Sequence, residues 1–124
     1  MVQDFLVKSE ENTRAAKALF ELGMYNAAAN RAYYAAFHAA IALLAQYGIT
    51  NPNNSHEWVQ AQLASELIHR RKVLPATFAR GLQDIQRLRN IADYDSTSIS
   101  KTAIERHIRK SSEFCTIIYE RIQR

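Results

Sequence analysis

Residues 26–47 read NAAANRAYYAAFHAAIALLAQY, and this stretch decides the fold. Tyr33, Phe37, Ile41 and Leu44 recur at intervals of four and three, the spacing that aligns side chains along one face of an α-helix. The many alanines between them permit neighbouring helices to approach closely. A long, central helix is therefore predicted over 26–47. Gly48 ends it, and Ile49-Thr50-Asn51-Pro52-Asn53-Asn54-Ser55 is a loop of turn formers whose side chains compete with helical hydrogen bonding.

The same periodicity extends in both directions. Val2 to Leu22 carries Phe5, Leu6, Ala16, Leu19 and Phe20 at helical spacing, with Gly23 placed for a left-handed C-terminal cap. His56 to about Arg71 reads as a shorter helix, capped by Ser55, with Trp58, Val59, Leu63 and Leu67 inward. Pro75 suits the first turn of a fourth helix, whose stripe is Phe78, Leu82, Ile85 and Leu88. The polar run Asp95-Ser96-Thr97-Ser98 breaks the pattern. Thr102-Ala103-Ile104-Glu105 then has the spacing of a capping box, opening a fifth helix with Ile104, Ile108, Ser111, Cys115, Ile118 and Ile122 on one face. The expected fold is all-α: an up-and-down antiparallel helical bundle of four long helices plus one shorter helix, in a single domain over 1–124.

Composition narrows the function classes. The 124 residues are 48% hydrophobic, enough for one core, and three Gly and two Pro are too few for many short strands. Three isolated glycines cannot build a phosphate loop. Cys115 is the sole cysteine, which excludes an intrachain disulfide or a cysteine-based zinc cluster, and on an apolar helical face it reads as packed rather than nucleophilic. His38, His56, His69 and His107 show no paired metal-ligand spacing, so neither metal nor cofactor is expected. No signal peptide or membrane span is evident, making a cytoplasmic location the default. Gly23-Met24-Tyr25-Asn26-Ala27-Ala28 faintly resembles the turn of a tetratricopeptide unit, but a solenoid needs about three repeats.

The net charge of +4 is unevenly spread: residues 1–69 hold four Lys/Arg against six Asp/Glu, and residues 70–124 hold twelve against six. The basic half suits an anionic partner, although a solvated basic face also serves solubility.

Polar residues interrupt two apolar stripes. Asn26 and Asn30 share the line of Tyr33, Phe37 and Ile41, with Tyr34 and His38 slightly displaced. Arg89 projects within the stripe of the fourth helix, where a guanidinium needs partners or a solvated groove, and Asp93 lies one turn on. If the second and fourth helices run antiparallel, Asn26, Asn30, Tyr34, Arg89 and Asp93 converge. Two readings stay open: an internal network fixing helix register, and an anion-binding groove built on Arg89. The aromatics Tyr33, Tyr34 and Phe37 are base-stacking candidates or core.

Two motifs, Ala29-Asn30-Arg31-Ala32-Tyr33-Tyr34-Ala35-Ala36-Phe37-His38-Ala39-Ala40 and Arg89-Asn90-Ile91-Ala92-Asp93-Tyr94, resemble the HEPN family, especially its small stand-alone bacterial and archaeal members. The resemblance spans nearly the whole chain. It implies an up-and-down bundle, frequent homodimers, and roles as ribonuclease toxins of toxin-antitoxin systems, RNA- or nucleotide-binding modules, or partners of small nucleotidyltransferases.

Ribonuclease members place a His four to six residues after an Arg, and the two meet across a dimer groove. Here Arg89 is followed at those distances by Tyr94, Asp95 and Ser96, and Arg87 by Ala92, Asp93 and Tyr94. Binding without turnover is therefore the leading expectation, with Arg89, Asp93, Tyr94, Asn26, Asn30, Tyr34 and His38 as ligand-binding candidates. The alternatives are a metal-independent ribonuclease, in which Arg89 stabilises phosphate charge and Asp93 or Tyr94 replaces the missing histidine, and a structural dimeric adaptor.

Overall fold

Gly23 and Gly48, both with positive φ (78° and 76°), stop the first two helices by turning the chain left-handed, a conformation open to glycine because it lacks a Cβ. The resulting α1 spans Val2–Glu21 and α2 spans Tyr25–Gln46. After Gly23 the amide of Met24 bonds the Leu19 carbonyl (2.9 Å), and after Gly48 that of Ile49 bonds Leu44 (3.0 Å), so the last turns keep their carbonyls satisfied. The computed structural model describes residues 1–94 and 99–123, without the side chain of Tyr94. The polar run 95–98 lies outside the described residues.

Downstream come α3 (His56–Gln62), α4 (Phe78–Tyr94) and α5 (Lys101–Gln123). The Ser55 side chain caps α3 by accepting from the Trp58 amide. The single helix expected over His56 to Arg71 is in fact two: α3 continues as a π-helical segment, Leu63–Arg70, closed by the Arg71 amide on the Glu66 carbonyl five residues back. Pro75 precedes α4 instead of opening it. Its carbonyl accepts from the Phe78 amide, closing a turn ahead of the helix. The cap of α5 is Ser100, whose hydroxyl accepts from the Ala103 amide, and not Thr102. Among the described residues no strand occurs, and no helix is long and apolar enough to cross a membrane.

The alanines of α2 bring it into contact with every other helix. Ala28, Ala29, Ala32, Ala35, Ala36, Ala39 and Ala40 are buried, and Leu43 and Leu44 are fully enclosed, each leucine contributing roughly 1.5–3 kcal/mol of apolar burial. Small side chains let flanking helices approach until their own polar groups reach the α2 backbone. Ser9 of α1 donates to the Ala35 carbonyl (2.7 Å), while His107 and Ser111 of α5 bond the carbonyls of Ala29 and Ala32. These buried polar groups are satisfied, so they fix register at little desolvation cost.

Register also sets direction. Partner numbers rise together for α2 and α5 (Ala29 with His107, Ala32 with Ser111), so these helices run parallel. They rise oppositely for α1 and α2 (Ser9 with Ala35, Asn12 with Arg31) and for α2 and α4 (Asn30 with Asp93, Tyr34 with Arg89), so these pairs are antiparallel. The four long helices thus alternate up and down, and the start of α2 shares an end of the bundle with the close of α4.

Candidate functional site

Helical geometry alone places Asp93 one turn beyond Arg89, and the two pair at 3.1 Å (Nε to Oδ2) with only 14% and 22% of their side chains exposed. The antiparallel packing of α2 against α4 then adds Asn30, whose amide nitrogen donates to the same Asp93 oxygen at 2.9 Å, and Tyr34, whose hydroxyl accepts from Arg89 Nη2 at 3.3 Å. Asn90 accepts from Nη1 of Arg89 at 3.1 Å. The convergence expected of Asn30, Tyr34, Arg89 and Asp93 is present in these contacts. Asn26 is different: one turn before Asn30 it is exposed, and among the described residues it makes none of the cluster's hydrogen bonds. The Tyr94 side chain lies outside the described residues.

A second guanidinium extends the cluster toward α1. Arg31 donates through Nε to Asn30 Oδ1 (3.1 Å) and through Nη1 to Asn12 Oδ1 (3.0 Å), and lies 5.0 Å from the centre of the Tyr34 ring. Arg89 lies 5.5 Å from the same ring, so Tyr34 has a cation on each of two approaches. The acceptors around Arg31 are the neutral amides of Asn12 and Asn30, and among the described residues no carboxylate forms an ion pair with it. Asp93 thus pairs with Arg89 and not with Arg31, and the described groups of the cluster comprise two guanidiniums and one carboxylate.

His38 stands at the α1 edge, its Nδ1 3.5 Å from the Asn12 amide nitrogen and its ring 6.0 Å from that of Tyr34. Burial, then the nearby charges of Lys8 and Arg31, push its pKa down to about 4. It is neutral near pH 7.

His56, the first residue of α3, joins from the other side. Its ring stacks on Phe37 (4.6 Å between centroids) and on Tyr33 (5.3 Å), and its Nδ1 is hydrogen-bonded to the Tyr33 hydroxyl. Burial and the Arg89 charge lower its pKa, keeping the imidazole neutral, while burial holds the Tyr33 phenol far above its ordinary range. Tyr33 is fully buried, so it supports His56 and is not a surface for stacking a base. Arg89 lies 5.6 Å from the Tyr33 ring, which links the histidine to the charged cluster.

Sequence reasoning missed Asn12, Arg31 and His56 as members of this site. Arg31 sits inside the first motif and adjoins Asn30, a signal that was available. Nothing in the sequence around His56 indicates that the opening of a short helix faces Tyr33.

Comparison with known proteins follows the same extent. The HEPN domain family model matches residues 2–122. Over 43 residues the chain is 54% identical to a candidate toxin of Methanocaldococcus jannaschii, covering 35% of this chain and 32% of that protein. Over 41 residues it is 49% identical to a UPF0332 protein of Archaeoglobus fulgidus, covering 33% of each. These local matches span about a third of either relative's length. A UPF0332 protein of Gloeobacter violaceus is 28% identical over 120 residues, 95% of this chain and 93% of that one.

Proposed function

Because this chain belongs to the HEPN domain family, we propose that it is a toxin-like helical module whose groove between Arg31 and Arg89 holds a phosphate group of RNA or a nucleotide. The carrying observation is the placement of two part-buried guanidiniums against Tyr34, Arg31 held by the neutral amides of Asn12 and Asn30 and Arg89 paired with Asp93. Guanidinium forks suit phosphate because their N–H donors match its oxygens in pairs. Burial is the main cause of the lowered pKa values of His38 and His56, with the charges of Lys8 and Arg31 on the first and of Arg89 on the second adding to it. A homodimer and a small nucleotidyltransferase as partner belong to the same reading, to be tested by light scattering and co-purification.

The direct test is fluorescence anisotropy of a labelled single-stranded RNA at two salt concentrations. Binding should weaken as salt rises, through counterion release, and Arg89→Ala should lower affinity about tenfold. Salt-insensitive binding that is equal in both proteins would remove the groove from consideration and leave the structural adaptor.

One observation favours a second reading, a metal-independent ribonuclease. His56 supplies a neutral imidazole beside Arg89, in a role the sequence assigned to Asp93 or Tyr94. In the tautomer whose Nδ1–H donates to the Tyr33 hydroxyl, Nε2 carries a lone pair able to take the proton of the ribose hydroxyl next to a phosphate. That oxygen would attack phosphorus, forming a cyclic phosphate as the bond to the next ribose breaks and the departing oxygen takes a proton from water. Arg89 would stabilise the charge at phosphorus. Incubation with RNA in the presence of chelator decides the matter: His56→Gln should abolish cleavage while anisotropy shows RNA still bound. Equal cleavage by wild type and variant refutes this reading.

A further inference from the structure

At the opposite end of the bundle, where the π-helical segment runs into α4, a cavity of about 480 Å³ opens beneath residues 72–76. We propose that it is a second binding site, for a small organic anion with an apolar body. Its size lies within the range of small-molecule sites. Phe78 opens α4 eleven residues before Arg89, so at about 1.5 Å per residue the two sites are separated by about 16 Å along that helix.

The floor is apolar, with Ile68 and Leu74 buried and Val73 half-buried, and the polar lining is His69, Lys72 and Arg121. Among the described residues no acidic residue lines the cavity, and neither Lys72 nor Arg121 takes part in an ion pair. Glu66, two residues before Ile68, is engaged by Arg70 and Arg71, and Glu120, next to Arg121, is exposed and is not part of the lining. An apolar floor beneath two cations that form no ion pair among the described residues complements a ligand that is apolar at one end and anionic at the other.

The backbone holds this shape before any ligand arrives. The amides of Val73 and Leu74 both bond the Leu67 carbonyl (2.8 and 3.1 Å), and Arg121 Nε donates to the Val73 carbonyl (2.9 Å). Between these anchors Lys72 is kept at φ 53°, a left-handed conformation that glycine would occupy without strain. A lysine there costs stability, and its ammonium is what glycine could not supply. Strained residues of this kind persist where the surroundings over-determine them, and ligand clamps are such places.

The experiment titrates the full chain with anilinonaphthalene sulfonate, an apolar ring system bearing one anionic group, and follows its fluorescence. Wild type should bind saturably. Lys72→Gln should weaken the dye by about threefold or more, the effect of one partly screened charge. Lys72→Gly should weaken it similarly while raising the melting temperature, because the strain is relieved as the charge is lost. Arg89→Ala should leave dye binding unchanged, which keeps this test independent of the phosphate groove. Displacement by adenosine monophosphate or by hexanoate identifies the headgroup as phosphate ester or carboxylate. Unchanged dye affinity in both Lys72 variants, or displacement by inorganic phosphate as effective as by either competitor, would overturn the proposal.

Discussion

Replacing Asp93 by Asn separates the two roles open to the Arg31–Arg89 cluster, because stability and ligand affinity should move in opposite directions. The substitution keeps the shape but removes the carboxylate that pairs with Arg89 Nε at 3.1 Å and accepts from Asn30 at 2.9 Å. At an effective dielectric of about 20, opposite charges at this separation attract by roughly 5 kcal/mol before desolvation is counted. Exposed pairs are worth at most about 1 kcal/mol, and breaking buried ones costs about 3–5 kcal/mol. With one-seventh and one-fifth of the two side chains exposed, an intermediate loss of about 2 kcal/mol follows. With a urea m-value of about 2 kcal/mol/M, this lowers the unfolding midpoint by about 1 M at unchanged m. Phosphate binding should strengthen, since the cluster gains one unit of positive charge. A charge about 5 Å from the ligand in a largely aqueous groove is worth about 0.8 kcal/mol, or about fourfold in affinity. Urea denaturation and RNA anisotropy on the same preparation give both numbers. A protein destabilised as expected but binding RNA no tighter would refute the anion site and leave a network that only fixes register.

Two further predictions concern the helices themselves. His38, with its pKa lowered from 6.5 to about 4, binds a proton in the unfolded chain at a pH where the folded chain does not. Its contribution to stability is full above pH 6.5 and falls away progressively down to about pH 4, with His56 and His107 acting in the same direction; the loss of melting temperature over this window should be smaller in His38→Gln. Ala36→Leu forces three extra carbons into a fully enclosed position on α2 and should destabilise by about 1–3 kcal/mol in a urea titration, whereas a neutral result would show that the helices around α2 are not closely packed.

Helix positions were legible in the sequence because they follow from local chemistry. The stripe Tyr33, Phe37, Ile41, Leu44 and the glycines at 23 and 48 carry their meaning within a few residues, and the pairing of Arg89 with Asp93 is a consequence of one helical turn. Errors fell where local signals compete: Pro75 closes a turn before α4, and Ser100 rather than Thr102 caps α5, since either choice satisfies the first amides.

Sequence alone, then, determined five helical segments, the Arg89–Asp93 pair and the family resemblance that the HEPN domain match bears out. Tertiary structure decided which other groups meet that pair. Asn12 reaches Arg31 from α1, 19 residues away, and His56 meets Tyr33 across 23 residues. Such encounters depend on how closely helices approach and in what register, which the buried alanines of α2 and the carbonyls exposed between them set only when all the helices are packed.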